Sequence, residues 1–265
     1  MTAVPTLICA ALSDIGRVRA RNEDRVFADA SLGLFAVADG LGGRQAGDIA
    51  SRLAIDTLAH AIKTSDTRNS PDDSAGEHAD LRLVSAVELA NARVFREACL
   101  DRRLAGMGTT LVAATISVTA RGETVLTVAH VGDSRLYRFH PARPGMRSEL
   151  RLLTRDHSAL QSLIDQGLHD PAAAPHPRLH NYLTRALGVE PAVAVDHASW
   201  TLLPGEIILL CSDGLTNMLD DAAIAACFEH GIDRRDLEAL AALLVDSANA
   251  RGGHDNISVV LATQV

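Results

Sequence analysis

Short apolar runs restrict the fold of this chain more than any other feature. Stretches rich in Val, Ile, Leu and Thr occur at 6–13, 33–38, 109–118, 123–131, 134–139, 149–153, 192–200, 206–211 and 257–263, bounded by Gly, Asp or Pro. Several are apolar at successive rather than alternate positions, and a strand of that kind must be covered on both faces. Helical periodicity marks three segments. Ile49, Leu53, Leu58 and Ile62 recur through 46–62; Leu83, Val87, Val94 and Ala98 through 79–99; Leu237, Leu240, Leu244 and Ala248 through 236–248. A weaker helical pattern spans 157–166. The two long helices come together and strands then follow strands through 109–153, which is not the regular βαβ alternation of a doubly wound sheet. The order suits an α+β fold with antiparallel sheets. The polar segment 64–80 reads as a solvated loop between the long helices. There is no internal repeat and no second composition regime, so residues 1–265 are expected to form one domain.

Acids stand where these runs end. Asp39 closes "LFAVAD" and is followed by Gly40; Asp213 closes "EIILLCSD" and is followed by Gly214; Asp133 follows "VLTVAHVG". Asp255 precedes the strand "ISVVL", and Glu23 and Asp24 precede another short strand-like stretch. If such strand ends meet at one edge, bare carboxylates repel: two unit charges ~4 Å apart cost about 4 kcal/mol at an effective dielectric near 20. Protons or divalent cations have to neutralise them. An all-oxygen set without cysteine or a paired histidine motif suits Mg²⁺ or Mn²⁺ better than zinc, and the flexible Gly40 can add a carbonyl oxygen.

Composition removes several other classes. The charge of −8, from 33 acids against 25 bases, with no Lys/Arg run interleaved with aromatics, argues against nucleic acid as a partner. No stretch approaches the roughly 20 apolar residues of a membrane helix, and the first residues lack the basic start of a signal peptide. Cys9, Cys99, Cys211 and Cys227 lie far apart without a CxxC pair, which points to buried small hydrophobes in a reducing cytoplasm rather than to disulfides or zinc. With 3% aromatic residues, the core has to be built from Leu, Val, Ile and Ala.

Eight motifs stand in one order: "GRVRARNED" (16–24), "VADGLGG" (37–43), "GMGTT" (106–110), "VGDSRLY" (131–137), "LTRDHS" (153–158), "LTRALG" (183–188), "LLCSDGL" (209–215) and "GGHDNISVV" (252–260). In this the chain resembles the metal-dependent protein phosphatases, the PPM or type 2C family, in its bacterial serine/threonine branch. The resemblance runs from about residue 13 to 263. It implies a four-layer αββα sandwich, two antiparallel sheets packed face to face with a helix pair outside each. It also implies a binuclear Mn²⁺ or Mg²⁺ centre that activates a bridging water for in-line hydrolysis of phosphoserine or phosphothreonine, in opposition to a bacterial kinase. By motif position Asp39 would bridge the ions, Gly40 would offer its carbonyl, Asp213 and Asp255 would hold one ion, and Glu23 would bind through water. Asp133 matches the ligand of a weaker third ion. Arg19, four residues before Glu23, matches the arginine that grips the substrate phosphate, a task suited to a planar guanidinium. Asp24, Asn217 and Asn256 would support these groups. The expected partners are phosphoproteins and a cognate kinase, and the expected state is a monomer.

The sequence departs from the pattern of eukaryotic relatives at Leu41, where they carry a histidine as general acid. His157, His254 and His130 are the candidates to replace it, each against a structural role. Asn217 stands where aspartate is frequent, which removes a negative charge from the third site. Residues 159–182 fall where the family carries a flap beside the site, a place where loops set substrate choice. Two alternatives stay open: a catalytically silent binding module, which requires a broken metal set, and a phosphatase of small phosphate esters or of a phosphorylated anti-sigma-factor partner.

Overall fold

The structure is a computed structural model and describes residues 6–42, 46–66, 77–119, 121–170, 182–229 and 236–265. Its strands are β1 (Leu7–Asp14), β2 (Arg25–Asp29), β3 (Leu34–Ala38), β4 (Gly40–Leu41), β5 (Gly108–Thr109), β6 (Leu111–Val118), β7 (Thr124–Val131), β8 (Arg135–His140), β9 (Glu149–Leu152), β10 (Asp196–Thr201), β11 (Ile207–Cys211) and β12 (Ile257–Gln264). Its helices are α1 (Gly47–Asp66), α2 (Glu77–Leu100), α3 (Ala159–Asp165), α4 (Asp213–Thr216), α5 (Asp221–Glu229) and α6 (Leu237–Ala250). One sheet has the order β1-β12-β11-β8-β9 and the other β10-β7-β6-β3-β2, with all neighbours antiparallel; β4 and β5 form a small separate ribbon.

The continuous apolar runs are explained by layers on both sides. In β3, Leu34, Ala36 and Ala38 pack on the α1–α2 pair, while Phe35 and Val37 join the core between the sheets. In β11, Ile207, Leu209 and Cys211 face the α5 and α6 side, and Ile208 and Leu210 face the other sheet. The period of two divides each run between two cores, and both faces stay dry. The order is therefore α1 and α2, sheet, sheet, α5 and α6, the four-layer sandwich expected above. The cores are aliphatic, as the low aromatic content requires. Small residues recur where α1 meets its sheet, with Ala50 and Ala54 on the helix and Ala36, Ala38 and Ala113 on the strands.

Most predicted elements agree within a few residues, and the exceptions have physical reasons. Strand β10 starts at Asp196 rather than at 192. Val193 and Val195 are apolar because they pack against the α1–α2 core, and Ala194 gives its carbonyl to Arg185 instead of to a neighbouring strand. Helix α5 went unpredicted because four of its nine residues are alanine, although Ile224, Cys227 and Phe228 are buried. The ribbon of β4 and β5 is too short to show a period. Much of the 64–80 loop and residues 171–181 of the flap segment lie outside the described residues; within that segment, α3 is a helix of two turns capped by Ser158.

Candidate active site

Antiparallel register brings the acids to one edge of the sandwich, because the end of each strand lies beside the start of its neighbour. Arg25 pairs with Ala38, so Glu23 and Asp24 arrive beside Asp39. Cys211 pairs with both Val259 and Arg135, which sets Asp213 beside Asp255 and Asp133. Arg19, Glu23, Asp39, Gly40, Asp133, Asp213, Asp255 and Asn256 line one cavity of ≈310 Å³, together with Leu41, Gly42 and Leu183. Every metal ligand and phosphate contact expected from the sequence falls in this lining.

The backbone around Asp39 is fixed by two threonines. Thr110 N–H and Thr109 Oγ1 donate to the Asp39 carbonyl (2.9 and 2.8 Å), and the Asp39 N–H donates to Thr110 Oγ1 (3.0 Å). Thr110 Oγ1 in turn lies 2.7 Å from Ser134 Oγ, beside Asp133. These hydroxyls went unassigned in the sequence; the only signal was their place in "GMGTT". Gly40 tolerates no side chain, since a Cβ there would stand 2.2 Å from the Gly47 carbonyl oxygen.

Asn256 ties down the loop that carries Arg19 and Glu23. Its Oδ1 accepts from Glu23 N–H (2.9 Å), and its Nδ2 donates to the carbonyls of Ile15 (3.0 Å) and Arg21 (2.8 Å). Ser51 Oγ holds the Glu23 carbonyl from α1 at 2.6 Å. Asp24 is buried beneath this loop and accepts from Ser212 Oγ at 2.8 Å. Asn217, one turn along α4, donates its amide to Asp213 Oδ2 (3.1 Å) and does not line the cavity. It supports Asp213 from outside the lining.

Electrostatically the site is overloaded with negative charge. Burial, followed by repulsion from Asp24, Asp213 and Asp133, raises the Asp39 carboxyl well above the usual range. Burial and Asp213 lift Asp133 to about 8. Burial lifts Asp24 to about 7, against the pull of the serine hydroxyls. Burial and Asp255 raise Asp213, and burial and Asp48 raise Glu23. Oδ1 of Asp24 and Oδ1 of Asp213 are buried without a hydrogen bond. At the rim Arg19 binds Asp255 Oδ2 at 2.6 Å. Burial works against the Arg19 charge, but Asp255, Asp39 and Asp213 outweigh it and raise its pKa. Crowded oxygens with open lone pairs fit hard divalent cations. The His130, His157 and His254 candidates fare differently: none lines the cavity. His130 and His157 are buried in a stack behind it, with ring centres 4.7 Å apart, and His254 is exposed.

Comparison with known proteins agrees with this geometry. The family model for protein phosphatase 2C matches residues 17–246. A serine/threonine phosphatase stp of Listeria innocua is 36% identical over 253 residues, covering 94% of this chain and 92% of that protein. The crystal structure of the Mycobacterium tuberculosis serine/threonine phosphatase PstP/Ppp is similar with a TM-score of 0.81 at 35% identity, covering 97% of this chain and 98% of that one. A PstP catalytic domain in complex with two manganese ions is similar with a TM-score of 0.79 at 34% identity, covering 98% and 99%.

Proposed function

The chain belongs to the protein phosphatase 2C family, and from that premise we propose that it is a metal-dependent serine/threonine phosphatase whose site is the cavity between Arg19 and Asp133. The observation that carries this reading is the set of carboxylates driven into one cavity, several above their usual pKa, with a single arginine at the rim. Asp39 would bridge two Mn²⁺ or Mg²⁺ ions, with Gly40, Asp213, Asp255 and Glu23 completing their shells and Asp133 serving a third, weaker one. Bound there, the ions would supply charge neutralisation and an activated water for direct attack on a phosphoserine or phosphothreonine ester.

The chain's own residues do the rest. Thr109 and Thr110 hold the Asp39 backbone in place, and Asn256 sets the height of the Arg19 loop over the carboxylates. Arg19 would leave Asp255 to grip the phosphate in a two-pronged contact, so substrate and acid compete for one guanidinium. No serine, threonine, cysteine or histidine faces the cavity among the described residues, and its carboxylates are taken here as cation ligands, which suits hydrolysis without a phospho-enzyme.

We take the whole chain as one phosphatase domain, acting as a monomer in the cytoplasm against a serine/threonine kinase. No helix among the described residues is long and apolar enough to cross a membrane. Of the four cysteines, Cys211 and Cys227 are buried as the sequence suggested, whereas Cys9 is half-buried and Cys99 is exposed near the end of α2. The intact Asp39, Asp213 and Asp255 set speaks against the silent-module alternative. The test is phosphate release from a phosphothreonine peptide with Mn²⁺, with EDTA, and with Asp39→Asn. Activity is expected only in the first. Undiminished release in EDTA or by Asp39→Asn would overturn the proposal.

A further inference from the structure

Behind the cavity, His157 bonds to two other segments and stands against a third. Its backbone N–H donates to the Gly132 carbonyl (2.9 Å), and the Gly132 N–H donates back to His157 Nδ1 (3.1 Å). Its carbonyl accepts from Thr184 N–H (2.8 Å), and its neighbour Ala159 donates to the Tyr182 carbonyl (2.7 Å), so the same residue anchors the stretch that places Leu183 in the cavity wall. On the far side, Nε2 stands 3.3 Å from Asp196 Oδ2, an electrostatic contact rather than a well-aligned hydrogen bond. Asp196 is held in turn by Arg185 at 2.6 Å and pairs across the sheet with His130, whose ring stacks on His157.

Resting on the phosphatase reading, we infer that His157 is a positioning residue that fixes Asp133 through Gly132 and so sets how tightly the Asp133 side of the site holds a divalent cation. Gly132 sits at φ +106, and a Cβ there would stand 2.7 Å from the Thr110 side chain. The corner before Asp133 therefore must be glycine, which has no side chain of its own to hold it. The imidazole supplies the missing constraint on one flank, and Thr110 bound to Ser134 supplies it on the other.

Two other roles for the histidine pair fail on geometry. His130, His157 and Asp196 bring ligand atoms within 4.8 Å of one another, as a metal site would. However, a His157 Nδ1 that accepts from Gly132 must carry its proton on Nε2, the nitrogen a cation would need, and Arg185 already neutralises Asp196. As a general acid His157 is equally unsuited, because neither nitrogen faces the cavity.

The test separates the two ring nitrogens. In His157→Asn the amide oxygen stands where Nδ1 stands and can accept from Gly132; in His157→Gln the amide reaches toward Asp196 and leaves Gly132 without its acceptor. Mn²⁺ binding is measured by calorimetry on chelator-stripped protein, beside thermal melts and phosphatase assays. Expected is a loss of about tenfold in Mn²⁺ affinity for His157→Gln, near wild-type affinity for His157→Asn, and no further loss when His157→Gln is added to Asp133→Ala. Equal losses in the Asn and Gln variants would overturn the inference. So would a His157→Gln effect that persists beside Asp133→Ala, or an Asp133→Ala protein that binds Mn²⁺ like wild type. Should the Gln variant fold poorly, a tenfold loss in His157→Asn at an unchanged melting temperature is the refuting result. Failure of wild type to bind Mn²⁺ at all would instead strike at the phosphatase reading.

Discussion

Asp24 offers the sharpest test of the electrostatics, because it is 1% exposed and lies beneath the cavity rather than in its lining. Its carboxyl is raised from 3.8 to about 7, by burial first and then by Asp213 and Asp255 against the hydroxyls of Ser258 and Ser212. A raised carboxyl binds a proton more tightly in the folded chain than in the unfolded one, so ionising it destabilises the fold. That penalty is complete above the folded pKa, near pH 7, and vanishes as pH falls to the unfolded value near 4. Three pKa units correspond to a ceiling of about 4 kcal/mol. Asp24→Asn removes the penalty but buries an amide, at a cost of about 1–3 kcal/mol.

In chelator at pH 8 the Asn variant should therefore be more stable than wild type by about 1–3 kcal/mol. Between pH 7 and pH 5 the advantage should shrink by about 1.4 kcal/mol per pH unit, until the two proteins match or the order reverses. Urea unfolding at pH 8 and pH 5 in EDTA measures both. A variant less stable than wild type at pH 8, or a difference independent of pH, would refute the reasoning. Saturating Mn²⁺ should reduce the advantage without abolishing it, since bound cations relieve the repulsion from Asp213 and Asp255 but not the cost of burial.

The other predictions concern the neighbours of the acids. Thr110→Val keeps the shape but strands the Asp39 N–H and the Ser134 hydroxyl, so urea unfolding should show a loss of about 2–3 kcal/mol; a loss below about 0.5 kcal/mol would mean those bonds are not made. Leu41→His places an imidazole in a cavity lining that has none, so hydrolysis of a phosphothreonine peptide should rise about tenfold relative to an aryl phosphate, whose leaving group needs no proton. An unchanged ratio of the two rates would show that Leu41 does not stand beside the departing oxygen.

Much of the site was legible because its chemistry lies in residue types at marked places. An acid preceding glycine at the end of a five-residue apolar run is conspicuous, and Asp39, directly after its run, and Asp213, one serine beyond its own, could be found that way. Their convergence was not legible, since it depends on which strands pair and in what register. The supporting hydroxyls were silent for a related reason: Thr109, Thr110, Ser51 and Ser212 are ordinary residues within or beside strands and helices until another segment arrives opposite them. The histidines were ambiguous because a sequence cannot show which way a ring points. Helix α5 escaped because alanine carries little periodic signal, and 192–195 misled because apolar character records burial, not pairing.

Strand parity explains why the adjacent acids Glu23 and Asp24 differ so much in exposure. Phe35 and Val37 point into the core between the sheets, and Asp39 continues their side of β3. Val26 and Ala28 face the same core, so Asp24 continues their side of β2, while Glu23 continues the side of Phe27, which faces the helices. In β11 the inter-sheet side runs Ile208, Leu210, Ser212, and in β12 it runs Ala262, Val260, Ser258. Asp24, Ser212 and Ser258 thus meet across the two sheets, with Ser212 Oγ bonded to both the Asp24 carboxylate (2.8 Å) and the Ser258 N–H (3.0 Å). The apolar core between the sheets ends in this polar cap, and the cap holds the least exposed acid of this edge among the described residues. Asp213 and Asp255 carry the opposite parity, with Cys211 and with Ile257 and Val259, and open toward the rim where Arg19 waits. A shift of one residue in the β2–β3 pairing would exchange Glu23 and Asp24, sending the buried charge to solvent and the reachable one into the core. The register that buries Val26 and Val37 is therefore the same register that decides which carboxylate can meet a cation.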